Sequence, residues 1–149
     1  NKRVPVRRTA LVGGVSRLIC DHDRCTIQML LALHLGLVTR TLGSTVLVVG
    51  LGPGSASCIT KGTWAALEAA PRVHLRTAQH PAVSSLPCRE GAVSTFDHLY
   101  ESLHSFTEVY EAIADDIIST AQGGADVLYA VPGDPCVGER TTVLLRERC

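Results

Sequence analysis

Two short loops rich in glycine and proline offer most of the chemistry in this sequence: Gly50-Leu-Gly-Pro-Gly54 and Pro132-Gly-Asp-Pro135. Glycine lets a backbone approach a ligand closely and adopt positive φ, while proline stiffens the turn. Loops so poor in side chains would hold a small molecule through their own amides and carbonyls. Neither loop is a nucleotide fingerprint. A G-x-G-x-x-G motif from Gly50 needs glycine where Ser55 stands, and a P-loop needs Gly-Lys-Ser/Thr where the chain reads Lys61-Gly62-Thr63. Taken singly, each loop is equally well a plain turn; two on one edge of a sheet would be a cradle.

The other reactive side chains are scattered. His74, His80, His98 and His104 have no Ser, Asp or metal partner at a recognisable spacing and read as surface or structural residues. Cys58 and Cys136 stand just beyond the two loops and read as packing residues, because a reactive thiol needs a lowered pKa. Arg76 points toward the same edge and is either a contact for an anionic ligand or a solvated side chain. Cys20-Asp-His-Asp-Arg-Cys25 gathers two thiols and an imidazole, but its spacing fits no zinc module and a fourth ligand is missing, so no metal is expected.

The elements that must position the loops are legible from residue 45 onward. Thr45–Val49 is a continuous β-branched run, as a strand covered on both faces requires. Thr60 caps a helix running to Ala70, with Trp64, Leu67 and Glu68 at helical spacing, and Pro71 ends it. Val73–Leu75 and Ala92–Thr95 are short strands, and Asp97 caps a short helix. Ser105-Phe-Thr-Glu108 is a capping box. It opens a helix with Val109, Tyr110, Ile113, Ile117 and Ile118 on one face, stopped by Gly123-Gly124. Asp126–Val131 is another buried strand, and the chain is helical again from Val137. Strands alternating with helices predict an α/β fold, a mainly parallel sheet with flanking helices. Both loops then lie beyond the carboxyl ends of strands, where open sheets of this kind bind ligands.

Residues 1–44 differ from the rest. They carry seven basic residues and two acidic ones, whereas residues 45–149 carry seven basic and twelve acidic. The first segment reads as a basic extension with no assigned fold, apart from a short apolar stretch at 27–38 that suits a buried helix. Its first 19 residues have the composition of a transit peptide, or equally of a basic tail. Starting at Asn1 and finishing mid-helix at Cys149, the chain reads as part of a longer frame. A hydrophobic content of 46% excludes wholesale disorder. Zero net charge gives no bias toward nucleic acid, and no apolar run reaches the ~20 residues that span a bilayer. Six cysteines without a C-x-x-C pair or a secretory signal suggest reduced thiols in a cytoplasmic protein.

The blocks VLVVGLGPGSASCITKGTWAALEAA, RVHLRTAQHPAV, FDHLYESLHSFTEVYEAIADDI and DVLYAVPGDPCVGERTTVLL, in that order, resemble the tetrapyrrole methylase family. The branch resembled is the one associated with MazG-type nucleoside triphosphate pyrophosphohydrolases. The resemblance covers about residues 45–149 and implies the N-terminal subdomain, truncated here, of a two-domain α/β methyltransferase. In that family S-adenosylmethionine lies folded in the cleft between the two halves. The resemblance implies cofactor contacts at Pro53 with its neighbours Gly52 and Gly54, and at Pro132, Gly133, Asp134 and Val137. The implied partner is a small-molecule methyl acceptor, tetrapyrrole-like or otherwise, with room for a homodimer and a fused MazG domain. Two positions depart from the pattern. Arg76 stands where siroheme-type members carry an acid that helps remove a proton, and Ser55 replaces a common aspartate. The resemblance therefore also admits a non-catalytic module of a MazG-type pyrophosphohydrolase, or an inactive truncated fragment.

Overall fold

A computed structural model describes residues 10–12, 15–19 and 44–148. Six strands form one sheet: β1 (Ala10–Val12), β2 (Val15–Ile19), β3 (Thr45–Gly50), β4 (Val73–Leu75), β5 (Val93–Thr95) and β6 (Val127–Val131). Their order across the sheet is β1-β2-β3-β6-β4-β5. The last four are parallel, with Val46 opposite Val127, Val73 opposite Leu128 and Val73 opposite Val93. Among the described residues four α-helices flank them: α1 (Lys61–Ala69), α2 (Asp97–Ser102), α3 (Phe106–Gln122) and α4 (Arg140–Arg148).

The continuous apolar strands are explained by cover on both faces. Val46 and Val48 of β3, with Val127, Tyr129 and Val131 of β6, face α3 and α4 and pack on Val109, Ile113, Ile117, Leu144 and Leu145. Val49, Val73, Leu75, Leu128 and Ala130 face the opposite way and pack on Leu67 and Ala70 at the α1 side. Each fully buried side chain of this size contributes roughly 1.5–3 kcal/mol. Helix α3 starts where its capping box requires: the Glu108 amide donates to Ser105 Oγ at 3.2 Å, and the Ser105 amide donates back to Glu108 Oε2 at 3.1 Å. Thr60 caps α1 by accepting from the Thr63 amide at 3.2 Å. Arg148 of α4 reaches Glu111 and Asp115 of α3, fastening the two helices on their exposed side.

Several expectations need correction. Asp97 is not a cap: Phe96 occupies that position, and the Asp97 carboxylate is used elsewhere. The last helix begins at Arg140 rather than Val137, because Gly138, at φ +66°, keeps the segment before it out of helical register. Within the basic extension, β1 and β2 form an antiparallel hairpin, and β2 pairs antiparallel with β3, Ile19 opposite Thr45. Strands this short are set by the free edge of β3 more than by their own periodicity. The apolar stretch 27–38 and the Cys20–Cys25 cluster lie outside the described residues. Among the described residues no helix is long and apolar enough to cross a membrane.

Candidate functional site

The two glycine–proline loops leave the carboxyl ends of the neighbouring parallel strands β3 and β6, and they touch. Leu51 N donates to Val131 O at 2.9 Å, extending the ladder one step beyond the strands. Gly52 and Gly133 then exchange a reciprocal pair of bonds, Gly52 N to Gly133 O at 3.1 Å and Gly133 N to Gly52 O at 3.0 Å. This isolated antiparallel bridge joins the loops into one rim. Both glycines have positive φ, +75° and +71°. At Gly52 a side chain would also strike Cys58, whose carbonyl oxygen would lie 2.8 Å from an added Cβ. The space beside Gly133 is open. Pro53 and Asp134 are exposed, Gly54 and Pro132 are half-buried, and Val137 is 77% exposed at the outer lip. His80 supports the rim from beneath, with Nε2 3.1 Å from Gly52 O.

Beside this rim lies a recess of about 490 Å³, lined by Arg76, Thr77, Gln79, Asp97, Tyr100, Glu101 and Pro132. It joins the ends of β4 and β6 to helix α2. Of the cofactor contacts that the resemblance implies, Pro132 alone is part of this lining, and the others belong to the two loops beside it; Arg76, the candidate anion contact, also lines it. A second, more apolar groove of about 340 Å³ lies at the opposite edge, between α1 and the amino ends of β3 and β6. Its lining is mostly apolar, with Leu47, Ala66, Ala69 and Leu128 beside Thr45, Arg72 and Asp126, and neither glycine–proline loop reaches it. The carboxyl edge, where the two loops meet, is the candidate site.

Arg76 is neither solvated nor free for an anion. Its Nη1 donates to Glu139 Oε2 at 2.5 Å, its Nε to the Tyr100 hydroxyl at 2.9 Å, and its Nη2 to the Tyr110 hydroxyl at 3.3 Å. The guanidinium carbon also lies 5.2 Å from the centre of the Tyr110 ring. Desolvation opposes the charged form, but the bond to Tyr100 and the charge of Glu139 outweigh it, so the guanidinium is held more firmly protonated than usual. Glu139 is 5% exposed, and its second oxygen accepts from the Thr141 amide at the start of α4. A buried carboxylate thus ties the end of β4 to the segment that follows the second loop. Sequence reading missed Glu139 and Tyr100, because a glutamate after a glycine turn and a tyrosine on a short helix look like surface residues. It placed Tyr110 on the apolar face of α3 without its bond to Arg76, and of the two readings open for His80 the structure selects the structural one. Burial raises the pKa of the Tyr100 hydroxyl, and it raises that of Tyr129 beneath the cluster far more.

Asp97 forms the other wall. Thr77 Oγ1 donates to its Oδ1 at 2.5 Å and the Ala78 amide to its Oδ2 at 2.8 Å. Desolvation pushes this carboxyl up, but the bonds from Thr77, Ala78 and Thr95 win and hold it below the usual range. A depressed carboxyl contributes stability that is present above the unfolded pKa, about 3.9, and is lost as pH falls through the folded value. Asp97→Asn is therefore expected to lower the urea midpoint at neutral pH, with the gap to the unmodified chain narrowing as pH falls below the unfolded pKa and through the lower folded one. A gap that stays constant with pH would remove the charge from this account.

The remaining sequence-singled residues lie away from the recess. His74 is buried, stacked on Phe96 at 5.9 Å with Ser94 Oγ 3.2 Å from its Nδ1, a structural histidine whose pKa desolvation lowers. Cys58 and Cys136 are exposed, not packed as expected, because the tight loops turn them outward. Among the described residues no group of three or more His, Cys, Asp or Glu side chains could hold a metal.

Comparison with known proteins gives two findings. Residues 45–149 match the family model described as tetrapyrrole (corrin/porphyrin) methylases. The chain is also 39% identical over 107 residues to the uncharacterized protein YabN of Bacillus subtilis (strain 168). That match covers 72% of this chain and 22% of YabN, so the chain spans about a fifth of the relative's length.

Proposed function

Because the chain belongs to the family of tetrapyrrole (corrin/porphyrin) methylases, we propose that residues 45–149 supply the donor-holding half of an S-adenosylmethionine-dependent methyltransferase. The observation that carries this reading is the Gly52–Gly133 bridge, which makes one rim of two loops at the carboxyl edge of a parallel sheet. The residues present suit the cofactor. Gly133 leaves open the space a side chain would fill, and at Gly54 the nearest neighbour of an added Cβ is Cys58 Sγ at 3.8 Å, so a ligand can lie against the backbone. Exposed Pro53 and Val137, with half-buried Pro132, offer apolar contact, and Asp134 offers a carboxylate to a hydroxyl or ammonium group. When bound, S-adenosylmethionine supplies an activated methyl, whose bond to sulfur breaks as a bond to the acceptor forms, leaving a neutral thioether. The chain's own task is positioning, the main protein contribution where a cofactor brings the reactive group. The rim fixes the donor side, and the recess against Pro132 receives the acceptor.

Glycine amides resolve well in nitrogen–proton correlation spectra, which makes a direct test. Titration of the chain with millimolar S-adenosylmethionine is expected to shift the Gly54 and Gly133 resonances, with Gly91, remote from the rim, unmoved. Gly133→Val should weaken the apparent affinity by about tenfold or more. Shifts absent from both loops at saturating solubility would overturn the reading.

One observation favours a second reading, a donor-binding module of a MazG-type pyrophosphohydrolase that transfers nothing. Arg76 is locked by Glu139 and two tyrosines where an acid would aid proton removal. Shifts at the rim without turnover by the full-length protein would support that alternative.

A further inference from the structure

The charge at the recess bears on what it accepts. Arg76 is its one cationic lining residue, and that charge is neutralised by buried Glu139 at 2.5 Å. With all three guanidinium nitrogens engaged, Arg76 has little left to offer an anion. Asp97 and Glu101 leave the lining with an excess of negative charge. Glu101 is exposed and has no ion pair among the described residues. Polycarboxylated ligands need cationic partners in such a space, and like charges facing each other across a site repel strongly. Tyr100 and Pro132 both line the recess, and next to it Phe106, 69% exposed, stands edge-on to Tyr100 at 6.4 Å and stacks on Tyr110 at 6.3 Å. An aromatic ring in the lining, with two more beside it and carboxylates around it, favours flat ligands that carry positive charge or N–H donors.

We propose that the acceptor recess of this chain takes a flat molecule bearing positive charge or N–H donors, and rejects rings that carry several carboxylates. This rests on the methyltransferase reading for the word acceptor, while the charge preference can be measured without any donor.

The test uses two porphyrins with the same ring, one carrying N-methylpyridinium groups and the other carboxylates, titrated by fluorescence against the chain at physiological salt. The cationic ring is expected to bind at least about tenfold more tightly. Glu101→Lys should reduce that ratio by about tenfold, while Glu68→Lys, on exposed α1 away from the recess, should leave it unchanged. Equal or tighter binding of the carboxylated ring would overturn the proposal. So would an absence of saturable cationic binding, or equal effects of the two lysine variants, which would mark a general attraction to acidic surface. A failed S-adenosylmethionine titration would remove the transferase reading and leave this preference standing; a failed porphyrin comparison would do the reverse.

Discussion

Replacing Gly50 by alanine is expected to cost about 2–4 kcal/mol of stability and to abolish donor binding at the rim. The reason is space alone. A Cβ at this position would lie 2.3 Å from Gly133 O and 2.8 Å from Pro135 Cδ, and both are parts of the second loop that cannot swing aside. Backbone must move, and what moves first is the contact between the loops, the Leu51–Val131 bond and the Gly52–Gly133 bridge. Gly54→Ala is the matched control. Its nearest new neighbour is Cys58 Sγ at 3.8 Å, an ordinary contact, so its stability should change by less than about 0.5 kcal/mol. Denaturant unfolding of both variants checks the pair. If the two lose equal stability, close approach of the loops is not what position 50 protects.

Arg76→Met is expected to be comparably severe, at about 3–5 kcal/mol, a large share of the 5–15 kcal/mol typical of a domain. Methionine keeps much of the apolar stem but leaves the Glu139 carboxylate buried without its cation, and the Tyr100 and Tyr110 hydroxyls lose a donor. An uncompensated buried charge costs more than the pair was worth, because desolvation is no longer offset by attraction. The double variant Arg76→Met with Glu139→Leu should therefore be more stable than Arg76→Met alone, although it is further from the natural sequence. Thermal melts of the two single variants and the double complete the cycle. Additive losses would show that the two side chains act independently, against the short contact between them.

The first of these effects was half visible in the sequence. The glycine–proline loops stood out by composition, and their placement after apolar runs put them at one edge of a sheet. That Gly50 needs its bareness for the neighbouring loop, and not for a ligand or a turn, depends on β3 and β6 being adjacent, which no local pattern states. The Arg76–Glu139 pair was not visible at all. The partners are 63 positions apart, and each alone resembles an ordinary surface charge. Burial, the property that makes the pair matter, arises only when β4, α3 and α4 converge. Cys58 and Cys136 show the converse error, since an apolar character suggested packing at sites that tight turns expose.

The sequence by itself determined the local events: the β-branched strands, the Thr60 cap, the Ser105–Glu108 box, the glycine stops and hence the alternation of an α/β chain. These depend on short-range periodicity and on backbone groups satisfied within a few residues. Only the tertiary structure decided the strand order, the pairing of β1 and β2 beside β3, the meeting of the two loops and the buried ion pair behind the recess. Those depend on which edges and charges are brought together from distant positions, and the free energy that selects them, from burial and desolvation, does not exist until the layers have closed.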